Sequence, residues 1–163
     1  MAKTSIPTAS DLGAASAKAR GAGANAGAAA GSSTGAQVTN ANRRAGEPIH
    51  LILFSATGCP FCETVRAQHL QHLVGGSHDG HPLLVSEVLI DRDKPMTGFD
   101  GKPTTAKAFA RALGYRFAPT VATFDAAGRK LGKPLVGALL EDFYGAYLEQ
   151  LLETAAAGIE SGA

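Results

Sequence analysis

Both cysteines of this 163-residue chain lie in one short motif, Cys59-Pro60-Phe61-Cys62. Two thiols at this spacing can close a disulfide, bind a metal ion or exchange with the disulfide of a partner. The motif follows a nearly continuous apolar run over residues 49–55 and opens a helical pattern, so we predict Cys59 at the N-cap and Pro60 at the first helical position. Backbone N–H groups of the first turn then point at the Cys59 sulfur and stabilise its thiolate. We therefore predict Cys59 as the exposed, attacking thiol and Cys62 as the resolving thiol.

Metal binding by the same two cysteines is the main alternative. A structural zinc site needs four ligands, and the sequence has no second pair of cysteines. His69 and His72 follow Cys62 too closely for the usual spacing and lie on the same predicted helix. We predict no zinc site, whereas two thiolates binding Cu(I) stay open as an alternative. A purely structural disulfide is disfavoured because its two-residue loop gains little chain entropy.

The five histidines give no separate indication of a site. His50 begins the first predicted strand and is expected at an edge of the sheet. The other four are expected at solvated helix and loop positions: His69, His72, His78 and His81.

The elements around the motif alternate between strand and helix patterns. A strand over 49–55, a helix closed by Gly75-Gly76 and a second buried strand over 82–90 predict a βαβ unit with a right-handed crossover. A polar loop over 91–103 leads to a helix that is capped by threonine and ends before Gly114.

Two short strands joined across Gly128 predict a hairpin, and an amphipathic helix over 141–155 closes the domain. The apolar face of that helix is expected to comprise Phe143, Tyr147, Leu148, Leu151 and Leu152. The order β-α-β, α, β-β-α predicts the α/β fold class.

The first 47 residues differ from the rest in composition. They contain fifteen alanines and seven glycines, with few larger apolar side chains. Such a segment buries too little apolar surface to offset the chain entropy lost on ordering it. We therefore predict three parts: a disordered extension over 1–47, a folded domain over 48–157 and a short tail over 158–163.

Charge and hydropathy exclude several classes of partner. The formal net charge is +1, which gives no field suited to nucleic acid or a membrane surface. No stretch approaches the roughly 20 apolar residues that span a bilayer, and the first residues lack the apolar core of a secretory signal. We expect a monomer that binds no nucleic acid and does not insert stably into membranes.

Two stretches carry a resemblance to a known family. "FSATGCPFCETVRAQHL", followed by "FAPTVATFDAAGRKLGKPLVG", resembles the thioredoxin superfamily. The segment from "LIDRD" to "GRKL", with its "FDG" loop, is similar to the SoxW-type bacterial thioredoxins. The resemblance covers about residues 49–153. It implies a thioredoxin-like fold, in which helices flank a central four-stranded mixed sheet.

The resemblance also implies roles for residues beyond the dithiol. Pro119 is expected to be a cis-proline that faces the two cysteines, turning the Ala118 backbone outward to pair with an extended substrate chain. The implied substrate-binding set is Pro60, Phe61, Ala118, Pro119 and Thr120. The redox-active disulfide is Cys59–Cys62, and no cofactor is expected because the two thiols carry the electrons.

The chain departs from ordinary thioredoxins at the motif itself. Gly58 stands where those proteins have tryptophan, and the strand over 49–55 lacks their buried acidic residue. The spacer Pro60-Phe61 is nearer to the glutaredoxin-like one, although the glutathione-binding signature is not clear in "LVGALLEDF".

We predict a thiol:disulfide oxidoreductase that reduces protein disulfides through a mixed disulfide and is recharged by an upstream dithiol donor. The alternatives are a glutaredoxin-like, glutathione-dependent enzyme and a non-enzymatic Cu(I)-handling module. The resemblance places the protein in the periplasm, and the cytoplasm is the alternative.

Overall fold

A five-stranded mixed sheet forms the centre of the molecule. The computed structural model describes residues 6–24, 46–138 and 141–162. The strand order is β2-β3-β1-β6-β7, and the strands are β1 (Ile49–Ser55), β2 (Ser77–His78), β3 (His81–Leu89), β6 (Thr120–Phe124) and β7 (Leu135–Val136). β1 runs parallel to β3 and antiparallel to β6, which confirms the βαβ unit. β7 pairs antiparallel with β6, as the predicted hairpin requires.

The sheet has one strand more than predicted. The added strand, β2, has two residues and pairs with the start of β3 across a turn in which Asp79 and Gly80 have positive φ. The predicted loop over 91–103 also contains more structure than expected. It carries β4 (Pro95–Thr97), which pairs with β5 (Pro103–Thr105) in a separate two-stranded sheet.

Four α-helices flank the sheet in the described ranges. They are α1 (Leu12–Ala24), α2 (Pro60–Val65), α3 (Ala106–Leu113) and α4 (Glu141–Ser161). The helix predicted after the dithiol is not uniform, since α2 continues as a π-helical turn over Arg66–Leu70 and a 3-10 turn over Gln71–Leu73. α3 is as predicted: the Thr105 side chain caps its start, and Gly114 ends it in the left-handed conformation.

Both faces of the sheet are covered, and β1 supplies both cores. Its residues alternate: Leu51 and Leu53 join one apolar cluster, while Ile52 and Phe54 join the other. The first cluster packs under α4 through Leu148, Leu151, Leu152 and Ile159, and the second lies under α3 with Phe109, Tyr115 and Phe124. This burial on both faces accounts for the continuous apolar run in the sequence.

Residues 6–24 are ordered, although they fall within the predicted disordered extension. Ile6, Ala9 and Leu12 are buried, and the Ala9 N–H donates to the Glu87 carbonyl at 2.9 Å. The Glu87 N–H donates to the Pro7 carbonyl at 3.0 Å, so this segment adds to the outer edge of β3. A few apolar side chains among many alanines are enough to fix it. Residues 1–5 and 25–45 of the predicted extension lie outside the described residues.

The last helix is longer than predicted, and its buried face is shifted. α4 continues to Ser161, through part of the predicted tail, and Ile159 is buried in the core. Leu148, Leu151 and Leu152 are buried as predicted, but Phe143 and Tyr147 are exposed and Tyr144 is buried instead. The stripe starting at Tyr144 continues to Ile159 and is the one that meets the sheet.

The histidine expectations are wrong at two positions. His50 is buried in the central strand β1, with its Nε2 2.6 Å from Ser16 Oγ on α1 and its ring 4.9 Å from that of Phe99. His81 is also buried, with its Nδ1 2.8 Å from the Glu47 carbonyl oxygen. Both rings therefore hold parts of the fold together. Among the described residues, no helix has the length and apolar character needed to cross a membrane.

Candidate active site

The two cysteines form a disulfide at the start of α2. Their Cα atoms are 5.3 Å apart. Cys59 is the N-cap, its Sγ accepts the Cys62 N–H at 3.2 Å, and Pro60 occupies the first helical position. Cys59 is half-buried, whereas Cys62 is fully buried. An incoming sulfur can therefore reach Cys59 more easily than Cys62.

The Ala118–Pro119 peptide bond is cis, as the resemblance implied. The antiparallel register pairs Phe54, near the end of β1, with Thr120, at the start of β6. β1 ends at Ser55 and is followed after three residues by Cys59. The cis-proline and the two cysteines therefore lie at the same end of the sheet. Ala118, on the N-terminal side of this cis bond, is partly buried.

Pro119 and Thr120 are placed differently from the other expected substrate-binding residues. Thr120 is buried, and its hydroxyl donates to the Phe117 carbonyl at 2.7 Å. Pro119 is buried too, and its carbonyl accepts the Gly137 N–H at 2.7 Å. Thr120 therefore stabilises the cis-proline loop from its buried side, while Pro60 and Phe61 are exposed in the first turn of α2.

Exposed aromatic side chains flank the site on both sides. Phe61, between the cysteines, is 62% exposed, and Phe117, two residues before Pro119, is 72% exposed. Phe117 is not among the site residues predicted from the sequence. A large apolar residue beside the expected cis-proline was the signal that could have identified it.

A hydrogen-bond network fixes the loop that leads into the dithiol. The Thr57 N–H donates to both Asp91 carboxylate oxygens, at 3.2 and 3.1 Å, and Arg92 Nε donates to Thr57 Oγ1 at 2.8 Å. Desolvation acts to raise the pKa of Asp91, but the Thr57 hydrogen bonds and the Arg92 charge outweigh it and hold that pKa below its usual value. Sequence reasoning missed these residues because they meet only through the β1–β3 register.

A buried carboxylate lies behind the dithiol loop. Glu87 on β3 accepts a hydrogen bond from the Ser55 hydroxyl at 2.6 Å and forms an ion pair with Arg66 through the same oxygen. Ser55 is the last residue of β1, and Arg66 follows Cys62 by four positions. A buried acid thus lies on the strand next to β1 and bonds to the last residue of β1. A glutamate inside the apolar run of β3 was its only sequence signal.

An open cavity of about 570 Å³ lies beside Cys59. Its charged lining comprises Glu63, Arg66, Arg92, Asp93 and Lys94. In the described part of the chain, no group of three or more His, Cys, Asp or Glu side chains is arranged to hold a metal ion. The site as described therefore consists of a dithiol, a cis-proline loop and a charged cavity.

Comparison with known proteins gives one family match. A family model described as a thioredoxin-like domain matches residues 36–152. No curated protein matches the chain.

Several solved structures have a similar backbone. A point mutant of thioredoxin from Halobacterium salinarum NRC-1 is 21% identical, with a TM-score of 0.44 over 74% of this chain and 86% of that one. Thioredoxin f from spinach chloroplast, in its short form, is 16% identical, with a TM-score of 0.45 over 68% and 79%. The periplasmic thioredoxin SoxS from Paracoccus pantotrophus, in its reduced form, is 22% identical, with a TM-score of 0.41 over 66% and 98%.

Proposed function

Because the chain belongs to the family of thioredoxin-like domains and carries a Cys59–Cys62 pair, it is a thiol:disulfide oxidoreductase, and we propose that it reduces disulfides in client proteins. The observation that carries this proposal is the half-buried Cys59 sulfur, which caps a helix at the end of the sheet that also holds the cis-proline. The helix start favours a thiolate there, and the thiolate is the nucleophile in disulfide exchange.

The proposed reaction has two steps. The Cys59 thiolate attacks one sulfur of a client disulfide, the client S–S bond breaks, and the other client sulfur leaves as a thiolate that takes up a proton. Cys62, deprotonated, then attacks Cys59, breaks the mixed disulfide and releases the second client sulfur, which is also protonated. Two electrons pass from the enzyme dithiol to the client, and an upstream dithiol donor must reduce the enzyme again.

Client binding is proposed to use the loop opposite the dithiol. The outward Ala118 backbone pairs with an extended client segment beside the attacked disulfide. Phe61 contacts the client from the dithiol loop, and Pro119 packs behind the pairing residues. The resemblance to SoxW-type proteins supports a monomeric enzyme with clients in the periplasm. Cell fractionation followed by detection of the protein tests that compartment.

The first prediction concerns the two cysteines. Insulin reduction with dithiothreitol as donor should be lost in Cys59→Ser, because the nucleophile is gone. When reduced Cys62→Ser is mixed with insulin in the absence of dithiothreitol, it should instead accumulate as a mixed disulfide, since the enzyme has no second thiol to resolve it. Non-reducing gel electrophoresis with mass spectrometry detects that species. Wild-type activity retained in Cys59→Ser would remove Cys59 as the nucleophile.

Two further outcomes would redirect the proposal. Turnover of a glutathione mixed disulfide by Cys62→Ser would indicate a glutathione-dependent enzyme, because that reaction needs only one thiol. Tight one-to-one Cu(I) binding under anaerobic conditions, together with no reductase activity, would indicate a copper-handling module instead.

A further inference from the structure

Cys59, the N-cap of α2, is followed on one face of α2 and its π-helical extension by Glu63 and Arg66. Their spacing of four and then three positions places them on the same side of a helix. All three line the open cavity of about 570 Å³ beside the dithiol. Arg66 thus lines the same cavity as the attacking sulfur.

Arg66 is not free to act alone, because Glu87 pairs with it. The Glu87 carboxylate is 11% exposed, and its Oε1 atom accepts hydrogen bonds from both Arg66 Nη2 and Ser55 Oγ. Solvent screens charges in such a position less than it screens surface charges. The strength of the positive field that Arg66 exerts on the cavity therefore depends on the Glu87 charge.

We propose that the Arg66–Glu87 pair sets the reducing strength of the Cys59–Cys62 dithiol. Arg66 stabilises the Cys59 thiolate, and Glu87 limits that stabilisation. Both act as positioning residues and neither touches the client. This inference rests on the proposed function, since it concerns the same dithiol.

The link to reducing strength follows from the charges of the two redox states. The reduced enzyme carries a thiolate at Cys59, whereas the oxidised enzyme carries a neutral disulfide. A positive field stabilises only the reduced state, so it makes the dithiol a weaker electron donor. Four other charged side chains that line the cavity act on Cys59 as well and stay unchanged in the test: Glu63, Arg92, Asp93 and Lys94.

The test is a charge cycle on the pair. Glu87→Gln keeps an acceptor for Ser55 but leaves the Arg66 charge unbalanced, so the thiolate-to-thiol ratio of Cys59 at a fixed pH should rise about two- to fivefold. Arg66→Gln should lower the ratio by a similar factor. The double variant should return close to wild type. The ratio is measured from the ultraviolet absorbance of the thiolate across a pH series, in a Cys62→Ser background.

Reducing strength is measured separately in the variants that keep both cysteines. At equilibrium with a glutathione buffer, Glu87→Gln should be more reduced than wild type and Arg66→Gln more oxidised. Glu153→Gln, on the exposed face of α4, removes an equal charge from an element that does not line the cavity and should change neither quantity.

The two single variants distinguish electrostatics from packing. A purely structural pair predicts that both variants shift Cys59 ionisation in the same direction, and that result or an unchanged ratio would overturn the inference. If Arg66→Gln does not fold, Arg66→Lys keeps the charge and should stay near wild type, while Glu87→Gln alone must still raise the thiolate fraction. If the wild-type protein does not reduce insulin, that result would instead count against the proposed function. It would leave the inference about Arg66 and Glu87 untouched, because the thiolate absorbance of Cys59 is measured without a client protein.

Discussion

His50 lies in the middle of the sheet, where a charged ring is costly. Desolvation by burial lowers its pKa to about 4, although the nearby Asp125 charge acts in the opposite direction. The neutral ring contacts Ser16 on α1, whose hydroxyl also lies 3.0 Å from the Leu12 carbonyl oxygen. His50 thus joins the N-terminal segment to β1 as a neutral hydrogen-bonding group.

This burial predicts a loss of stability in mild acid. In the unfolded chain the ring takes up a proton near its ordinary pKa of about 6.5, whereas in the folded chain it does so only near pH 4. Folding therefore loses about 3 kcal/mol from this group as the pH falls between those two values. His50→Phe should flatten the dependence of the unfolding free energy on pH in that window, as measured by urea unfolding. His72→Gln, at an exposed position, should leave it unchanged, and an equally steep slope in His50→Phe would contradict the assignment.

At this scale, sequence reasoning succeeded where the signal is local. The N-cap position of Cys59 and the first-turn position of Pro60 follow from the order of four residues. Glu87 and Asp91 could not be assigned, because their partners Arg66 and Thr57 are distant in sequence and meet only through strand register. His50 was misread because its position in the sheet depends on strand order, which the residue itself does not reveal.

Elements with a strong apolar pattern were predicted almost to the residue. β1 and α3 have such patterns, and α3 also has explicit start and stop residues in Thr105 and Gly114. The buried face of α4 was predicted correctly at Leu148, Leu151 and Leu152. It was wrong at Phe143 and Tyr147, which lie at helical spacing with Leu151 just as Tyr144 lies at helical spacing with Leu148. Periodicity identifies a stripe on a helix, but tertiary packing decides which of two adjacent stripes is buried.

The turn between β6 and β7 gives a sharp test at the level of an element. Gly128 has φ +85, and a Cβ atom added there would lie 2.7 to 2.9 Å from three atoms of Phe99. Gly101 has a similar φ of +74, but nothing lies within 4 Å of its added Cβ. Gly101→Ala should therefore cost about 1–2 kcal/mol, from backbone strain alone.

Gly128→Ala should cost about 1–3 kcal/mol more than Gly101→Ala, because the Phe99 ring must also move. Urea unfolding of the two variants, side by side with wild type, isolates this contact because the backbone cost is common to both. If Gly128→Ala and Gly101→Ala lose the same stability, the Phe99 ring moves away from the added methyl group at no measurable cost.

At the scale of the whole molecule, the N-terminal segment is part of the fold. Composition pointed to disorder over residues 1–47, because alanine and glycine dominate the count. Three buried side chains nevertheless seat residues 6–24 against β3 and both apolar clusters: Ile6 joins the first cluster, and Ala9 and Leu12 join the second. Average composition cannot detect such sparse anchors, since their contribution depends on a receiving surface that forms far along the chain.

The segment also connects the chain terminus to the site. Its backbone pairs with both the N–H and the carbonyl of Glu87, whose side chain holds Ser55 and Arg66. Ser16 on α1 reaches His50 in the central strand. Removal of the segment should therefore affect both stability and the surroundings of the dithiol.

A chain lacking residues 1–24 should be less stable than the full chain by about 3–6 kcal/mol, because Ile6 and Leu12 each contribute about 1.5–3 kcal/mol when fully buried. The difference is measured by urea unfolding of the two chains. Hydrogen exchange should also quicken at the Glu87 amide in the shorter chain, since its acceptor on Pro7 is gone. An unchanged unfolding midpoint with unchanged exchange at Glu87 would mean that residues 6–24 contribute nothing to the fold. A lower midpoint with quickened exchange would place residues 6–24 within the folded domain, which then begins more than forty residues before the position that composition indicated.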